Sequence, residues 1–218
     1  MVNRTNARLG SSVKLQTLSF QDQKLDDANV IVTVTELNLS GSNIGDAGAA
    51  VLADLLKSNK TSTKFKLSQN AIGEVGAVQL AAGLKQGITP LTELDLADNN
   101  IGDIGATCLA DALKSHKTLT EFNLSHNNIG DNGATSLADV LKQHNKVLEI
   151  LNLSSNNVRD AGAIGLVDAL RDNRILSQLS LYGNNYIGKN AYVYLSSLAS
   201  NLAPAGRVIL PAPDKMVL

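Results

Sequence analysis

The chain has 218 residues, a formal net charge of −1 and 44% hydrophobic residues, which is enough apolar surface for a folded domain. Its 19 basic and 20 acidic residues nearly balance, so the composition excludes the strong positive charge of a typical nucleic-acid-binding protein. A lone cysteine, Cys108, and the absence of an apolar N-terminal segment predict a reducing, cytoplasmic location, and no apolar run is long enough to span a membrane.

An incomplete copy of an internal repeat, LQTLSF, occupies residues 15–20. It precedes the first complete copy by 19 residues, whereas every later copy follows at a longer spacing. We therefore interpret residues 1–33 as an N-terminal cap with a partial repeat.

Residues 34–202 contain six copies of the pattern L-x-x-L-x-L-x-x-N-x-I. The second hydrophobic position of the pattern recurs after 28 or 29 residues, at Leu37, Phe65, Leu94, Phe122, Leu151 and Leu179. The alternating apolar residues predict a short strand in each copy. A period of this length predicts stacked units that bury their leucines against their neighbours.

An amphipathic helix is predicted after each strand, as in residues 101–114, IGDIGATCLADALK. Ala106, Leu109, Ala110 and Leu113 recur at i, i+3, i+4 and i+7, the spacing of one buried helix face. Asp103 is a candidate N-cap for this helix. Because packed helices are wider than paired strands, the stacked units should curve, with the strands on the concave face.

Small and polar residues also recur at fixed positions. A Gly-Ala pair near the start of five helices predicts a close approach to the neighbouring helix, at Gly48, Gly76, Gly105, Gly133 and Gly162. An asparagine follows five of the strands, where its amide could satisfy buried backbone groups, at Asn70, Asn99, Asn127, Asn156 and Asn184. Residues 203–218 are interpreted as a C-terminal capping strand, which includes Val208, and a tail, so that the whole chain forms one continuous domain.

These motifs resemble the ribonuclease-inhibitor-like class of leucine-rich repeats over about residues 15–210. The resemblance implies an α/β solenoid shaped as a horseshoe arc, with six full repeats between terminal caps, a parallel sheet on the concave face and helices on the convex face. It also implies protein binding, since in most such proteins the array is a binding surface. The single cysteine and the absence of Trp depart from ribonuclease inhibitor itself, which argues against a ribonuclease as the partner.

The concave positions are those that alternate with the buried leucines, and they provide candidate partner-binding residues. An acidic patch, defined as Glu93, Asp95, Asp98 and Glu121, lies near the middle of the arc with Lys64 and Lys66 beside it. In the alternative interpretation these charges only pair with one another across neighbouring strands. The polar residues Asn123, Asn152 and Gln178 complete the concave candidates.

All four tyrosines fall within the last repeat. Tyr182 occupies a concave position and Tyr186 is a one-residue insertion at the edge, and we call these two residues the C-terminal rim. Because tyrosine is favoured at the energetic centres of interfaces, the rim is a candidate contact surface. Tyr192 and Tyr194 are expected to be buried under the C-terminal cap.

The residues favour no catalytic chemistry. His116, His126 and His144 lie at no metal-ligand spacing, and the repeat pattern places His116 and His144 at equivalent positions after successive helices. Neither a P-loop nor a dinucleotide-binding glycine motif is present. We therefore predict a protein that is not an enzyme, with no catalytic, cofactor-binding or metal-binding residues and no cofactor.

The predicted function is the binding of another protein on the concave face and the C-terminal rim, as an inhibitor or regulator of an enzyme. The alternatives are a scaffold or sensor array of the kind found in NOD-like receptors or bacterial effectors, and a GTPase-activating-type regulator. The expected partner is neither nucleic acid nor membrane, and the free protein is expected to be a monomer. The predicted location is cytoplasmic, which would be the host cytosol for a bacterial effector.

Overall fold

Strands and helices alternate along the chain in the computed structural model, which describes residues 17–21, 33–86, 90–200 and 208–210. Within these ranges the strands are β1 (Thr17–Gln21), β2 (Thr33–Asn38), β3 (Lys64–Lys66), β4 (Glu93–Asp95), β5 (Glu121–Asn123), β6 (Ile150–Asn152), β7 (Gln178–Ser180) and β8 (Val208–Ile209). The helices are α1 (Gly45–Ser58), α2 (Glu74–Gln86), α3 (Gly102–Leu113), α4 (Asp131–Gln143), α5 (Asp160–Ala169) and α6 (Lys189–Ser200). This is the α/β solenoid that the repeat predicts.

The strands form one sheet in which the spatial order is the chain order. From β2 to β8 they run parallel, and the equivalent residue of each repeat pairs with the next, as Leu94 does with Phe122. Val208 of β8 pairs with Leu179, at the position that the repeat spacing predicts.

The first strand departs from the repeat. β1 is antiparallel to β2, with Thr17 opposite Asn38, so the partial copy at residues 15–20 does not add a parallel repeat strand. A parallel pairing requires a crossover that returns the chain to the same end of the sheet, usually through a helix. The 19-residue step before the first complete copy is shorter than a full strand–helix unit, and the chain reverses instead.

The core lies between the sheet and the helices. In the third complete unit Leu94 is 1% exposed, and Leu96 and Leu109 are fully buried. Ala106, Leu109, Ala110 and Leu113 all face this core, as their helical spacing predicts. The strand residues that alternate with these buried leucines lie on the opposite side of the sheet.

The Gly-Ala column controls how closely the helices pack. A Cβ atom at Gly105 would lie 2.7 Å from the Cβ atom of Ala77 in the preceding helix, closer than real Cβ contacts allow. The Cγ2 atom of Ile101 in the same repeat would lie equally close, at 2.7 Å. The predicted close approach to the neighbouring helix is therefore present.

Asparagine side chains join neighbouring repeats beneath the strand ends. The amide oxygen of Asn99 accepts hydrogen bonds from the N–H groups of Asn70 and Ile72 in the preceding repeat, at 3.0 and 2.9 Å. Its Nδ2 group donates to the carbonyl of Leu67 in that repeat and to two carbonyls of its own. Each asparagine of the column is buried and bonds the preceding repeat in the same way, at Asn70, Asn99, Asn127, Asn156 and Asn184.

Aspartates cap the helix of the following repeat. Asp103 makes no side-chain cap on its own helix, which begins at Gly102, so the prediction of a local N-cap was wrong. Its Oδ1 atom accepts hydrogen bonds from the N–H groups of Gly130 and Gly133 at 2.7 and 2.9 Å, at the start of α4. Asp46 and Asp131 cap α2 and α5 similarly. A carboxylate there also lies favourably beside the positive end of the helix dipole.

We predict that Leu109→Ala destabilises the protein by about 2–5 kcal/mol, because it removes a fully buried side chain and leaves a cavity between repeats. The control is Ile104→Ala in the same helix, since Ile104 is 59% exposed and its truncation should cost less than about 1 kcal/mol. Chemical denaturation measures both values, and an equal effect of the two changes would contradict the repeat register.

Candidate protein-binding surface

The concave surface consists of ordered rows of side chains. One row places Glu93 between Lys64 and Glu121, and continues through Ile150 to Gln178. The second row contains Lys66, Asp95, Asn123, Asn152 and Ser180 as cross-strand neighbours. Parallel in-register pairing therefore brings the candidate residues of the sheet together on one surface.

Two ion pairs neutralise both lysines at the N-terminal half of this surface. Lys64 Nζ lies 2.6 Å from Glu93 Oε2, and Lys66 Nζ lies 2.8 Å from Glu36 Oε1. The hydrogen bond to Glu93 raises the pKa of Lys64, and the hydrogen bond to Glu36 raises the pKa of Lys66. Lys64, Lys66 and Glu93 therefore form ion pairs across neighbouring strands, as the alternative interpretation of these charges predicts.

The other members of the acidic patch are Asp95, Asp98 and Glu121. Among the described residues, neither Asp95 nor Glu121 forms an ion pair with a lysine or arginine within 4.0 Å. Burial, together with the nearby charge of Glu93, raises the pKa of Asp95, although its hydrogen bond from the Ala97 N–H acts in the opposite direction. Asp98 is exposed on the turn after β4, with Oδ1 3.9 Å from Nδ1 of His126.

The concave asparagines contribute to the framework of the sheet. Asn123 Oδ1 accepts a hydrogen bond from the Ser125 N–H at 3.1 Å, and Asn152 Oδ1 accepts one from the Ser154 N–H at 3.0 Å. These bonds hold the chain as it leaves each strand. Gln178, in contrast, is exposed at the far end of the first row.

The C-terminal rim is open to solvent. Tyr182 is 49% exposed and Tyr186 is 53% exposed, and the guanidinium carbon of Arg159 lies 5.4 Å from the centre of the Tyr186 ring. Ile209 of β8 pairs with Ser180 at the end of the second row and is 41% exposed. An aromatic and aliphatic surface therefore ends the concave face.

The expectation for Tyr194 was wrong, because this side chain is 43% exposed. It occupies the helix position held by Cys108 and Ser136 in earlier repeats, where the residues are only half-buried. Tyr192 is half-buried.

Arg159 and Ile209 were not recognised from the sequence. Arg159 stands where the other repeats have glycine, at Gly45, Gly73, Gly102, Gly130 and Gly188, so a break in the glycine column was the available signal. Ile209 lies in a strand too short to show an alternating pattern, and its exposure becomes visible only through its pairing with Ser180.

The two histidines after α3 and α4 are not equivalent. His116 is buried, and its Nδ1 atom accepts a hydrogen bond from the Leu119 N–H at 3.2 Å. Asn145 and Asn173 accept the corresponding bonds from Leu148 and Leu176, whereas His144 is exposed one residue earlier. Burial lowers the pKa of His116.

The described ranges were also compared with the requirements of a metal site and of a membrane-spanning helix. No three side chains among His, Cys, Asp and Glu lie together so as to hold a metal ion there. None of the helices in those ranges is both long enough and apolar enough to cross a membrane. On the helical side a groove runs past Cys108, where Lys85 and Lys114 both bind Asp111 and lower the pKa of this carboxyl group to about 2.

Comparisons with known proteins agree with this architecture. A family model described as Leucine Rich repeat matches residues 31–53, 87–110, 115–138 and 144–167. Among solved structures the chain is similar to one titled "Leiomodin-1 Actin-Binding Site 2 (ABS2)", with a TM-score of 0.54 and 20% identity, covering 64% of this chain and 79% of that one. No curated protein matches the chain. Four segments of the chain therefore match the leucine-rich repeat family, and the ribonuclease-inhibitor-like subclass stays a prediction.

We predict that His116→Asn reduces the loss of stability on acidification. Since burial lowers the pKa of His116 in the folded state, the unfolded chain binds the proton more readily. Its contribution to stability is intact above the unfolded pKa of about 6.5 and is lost as the pH falls below it. Asparagine fits the position, as Asn145 and Asn173 show.

Denaturation at about pH 7.5 and pH 5.5, on either side of that unfolded pKa, measures this effect. The exposed His144→Asn is the matched control, and it should retain the pH dependence of the unmodified protein. Equal pH dependence in the unmodified protein and in His116→Asn would show that the buried His116 does not cause the loss of stability in acid.

Proposed function

We propose that this protein is a non-enzymatic binding module that docks another protein on its concave face and C-terminal rim. The exposure of Tyr182 and Tyr186 beside Ile209 is the observation that supports this most directly. Aromatic side chains bury much area and lose little conformational entropy on binding, so they concentrate binding energy in interfaces.

The framework of the repeat does not require these side chains. Earlier repeats have small residues at the position of Tyr182, such as Ser125 and Ser154. Where Tyr186 bridges to the preceding repeat, an earlier repeat has the smaller Asn100. The solenoid would therefore form with small residues at the rim. Exposed rings at one end of the sheet, which the repeat framework does not require, support contact with a partner.

The acidic patch has a different part in the proposal. Glu93 is held by Lys64, so a partner would have to break that pair to use it. The carboxyl groups of Asp95, Asp98 and Glu121 would accelerate the approach of a partner that carries positive charge in the matching place. The polar candidates Asn123, Asn152 and Gln178 would line the contact without dominating its energy.

The partner class is proposed as an enzyme that the module inhibits or regulates. A curved surface can contact a convex protein around an active site, and stoichiometric loss of the partner's activity would reveal this outcome. Leiomodin-1 is described by its title as having an actin-binding site, but similarity at 20% identity concerns the fold and does not select actin for this chain.

We predict that Tyr182→Ser weakens binding of a partner captured from native extract by about 2 kcal/mol or more, because the exposed ring is replaced by the side chain that other repeats carry there. Asn123→Ser, in the middle of the face, should cost less than about 1 kcal/mol. Calorimetry with the captured partner gives both values, and circular dichroism confirms that each variant is folded.

Charge reversal at Glu93 and Asp95 separates the rim from the acidic patch. It should alter the association rate and its salt dependence if the patch only steers the partner. Full affinity for Tyr182→Ser, combined with loss of binding for the charge reversal at every salt concentration, would place the contact on the acidic patch.

A further inference from the structure

Three departures from the repeat meet at one edge of the molecule, and we call them the basic edge: Arg159, Tyr186 and Lys189. Arg159 replaces the glycine of the other repeats, and Lys189 replaces the acidic residue that begins the helices, as Asp131 and Asp160 do. Tyr186 is inserted between them. Because the other repeats fold with glycine and an acidic residue at these positions, the fold does not account for two cations and an added ring.

The cations of the basic edge are held near each other by the backbone. Arg159 and Tyr186 form a parallel β-bridge, and the guanidinium group stacks on the Tyr186 ring. Gly188, next to Lys189, donates its N–H to Asp160, the residue after Arg159, at 2.7 Å. Both cations therefore belong to the same strand-to-helix edge in consecutive repeats.

Nearby carboxylates do not neutralise these cations directly. Asp131 Oδ1 accepts hydrogen bonds from the backbone N–H groups of Arg159 and Gly162, and Asp160 accepts the one from Gly188. Within the described part of the chain, neither Arg159 nor Lys189 lies within 4.0 Å of a carboxylate oxygen. The guanidinium edge is thus available to an external acceptor.

The C-terminal part of the sequence also carries an excess of positive charge. Residues 173–213 contain the cations Arg174, Lys189 and Arg207 and no Asp or Glu, although the whole chain has a net charge of −1. Of these, Lys189 lies with Arg159 on the edge that carries the exposed ring of Tyr186. A surface of this kind is complementary to an acidic segment that also carries an apolar side chain.

We propose that the basic edge binds an acidic segment of a partner protein. A carboxylate of that segment pairs with Arg159 through two parallel hydrogen bonds, a geometry that the planar guanidinium group favours and that stacking on Tyr186 preorganises. Lys189 adds a second positive charge, and Tyr182 with Ile209 contacts the neighbouring apolar residue. This inference rests on the proposed function and adds the chemistry of the partner.

A displayed library of random peptides, selected on the intact chain, tests the inference even while the partner is unidentified. The enriched peptides should contain an excess of Asp and Glu next to apolar residues. Their binding should weaken by about tenfold or more, equivalent to 1.4 kcal/mol, in the double variant Arg159→Gly and Lys189→Asp. Raising the salt from about 0.05 M to 0.5 M should weaken binding to the intact chain more than to the double variant.

Both substitutions restore residues that other repeats carry, so the variant keeps the folding pattern of the solenoid. The matched control is Arg174→Gly, which removes one exposed cation from the connection between α5 and β7 and should change binding by less than about twofold. Equal loss in the control would show a general charge effect and overturn the assignment to the basic edge.

Three further results would overturn the inference: peptides without an acidic excess, no binding peptide at all, or tighter binding of a labelled single-stranded oligonucleotide than of the acidic peptides. A native partner that depends on Tyr182 but not on Arg159 or Lys189 would overturn this inference alone and leave the proposed function standing.

Discussion

The hydrogen bonds of the buried asparagine column are the interaction on which the rest of the structure depends. Each strand has only two or three residues in most repeats, so the sheet ladder alone satisfies few backbone groups. Asn99 joins two repeats through both ends of its amide, and it does so away from water, where an unpaired N–H or carbonyl would be costly. The column keeps neighbouring repeats in one register. The concave side chains therefore line up in rows across the sheet.

This framework divides the residues of each repeat between two tasks. Leucines, the Gly-Ala pair, asparagines and the aspartates that cap the next helix are engaged between repeats, as Leu109, Gly105, Asn99 and Asp103 illustrate. The side chains opposite the core vary more from repeat to repeat, although Asn123 and Asn152 also hold the chain as it leaves their strands. Binding chemistry is therefore expected where a repeat departs from the common pattern without a structural gain, and the C-terminal end, with Tyr182, has several such departures.

The sequence predicted what depends on the period and missed what depends on contacts between repeats. The position of Val208 followed from the spacing alone. The capping of α4 by Asp103 links residues 27 apart, so the local helix pattern suggested the wrong partner. The sequence left open whether Lys64 joins a partner or Glu93, because the choice depends on rotamers across two strands. Arg159 was visible as a break in a column, but its ring contact required the structure.

The most direct test of the account is amide hydrogen exchange on the intact chain, free and bound to the protein that it captures from native extract. Exchange reports backbone protection along the whole chain, so it locates the contact without any substitution. Binding should slow exchange mainly in residues 178–188 and 208–210, with smaller changes in β4 and β5 and none in the outer helices. Protection confined to α3 and α4, with no change near Tyr182 and Tyr186, would contradict it.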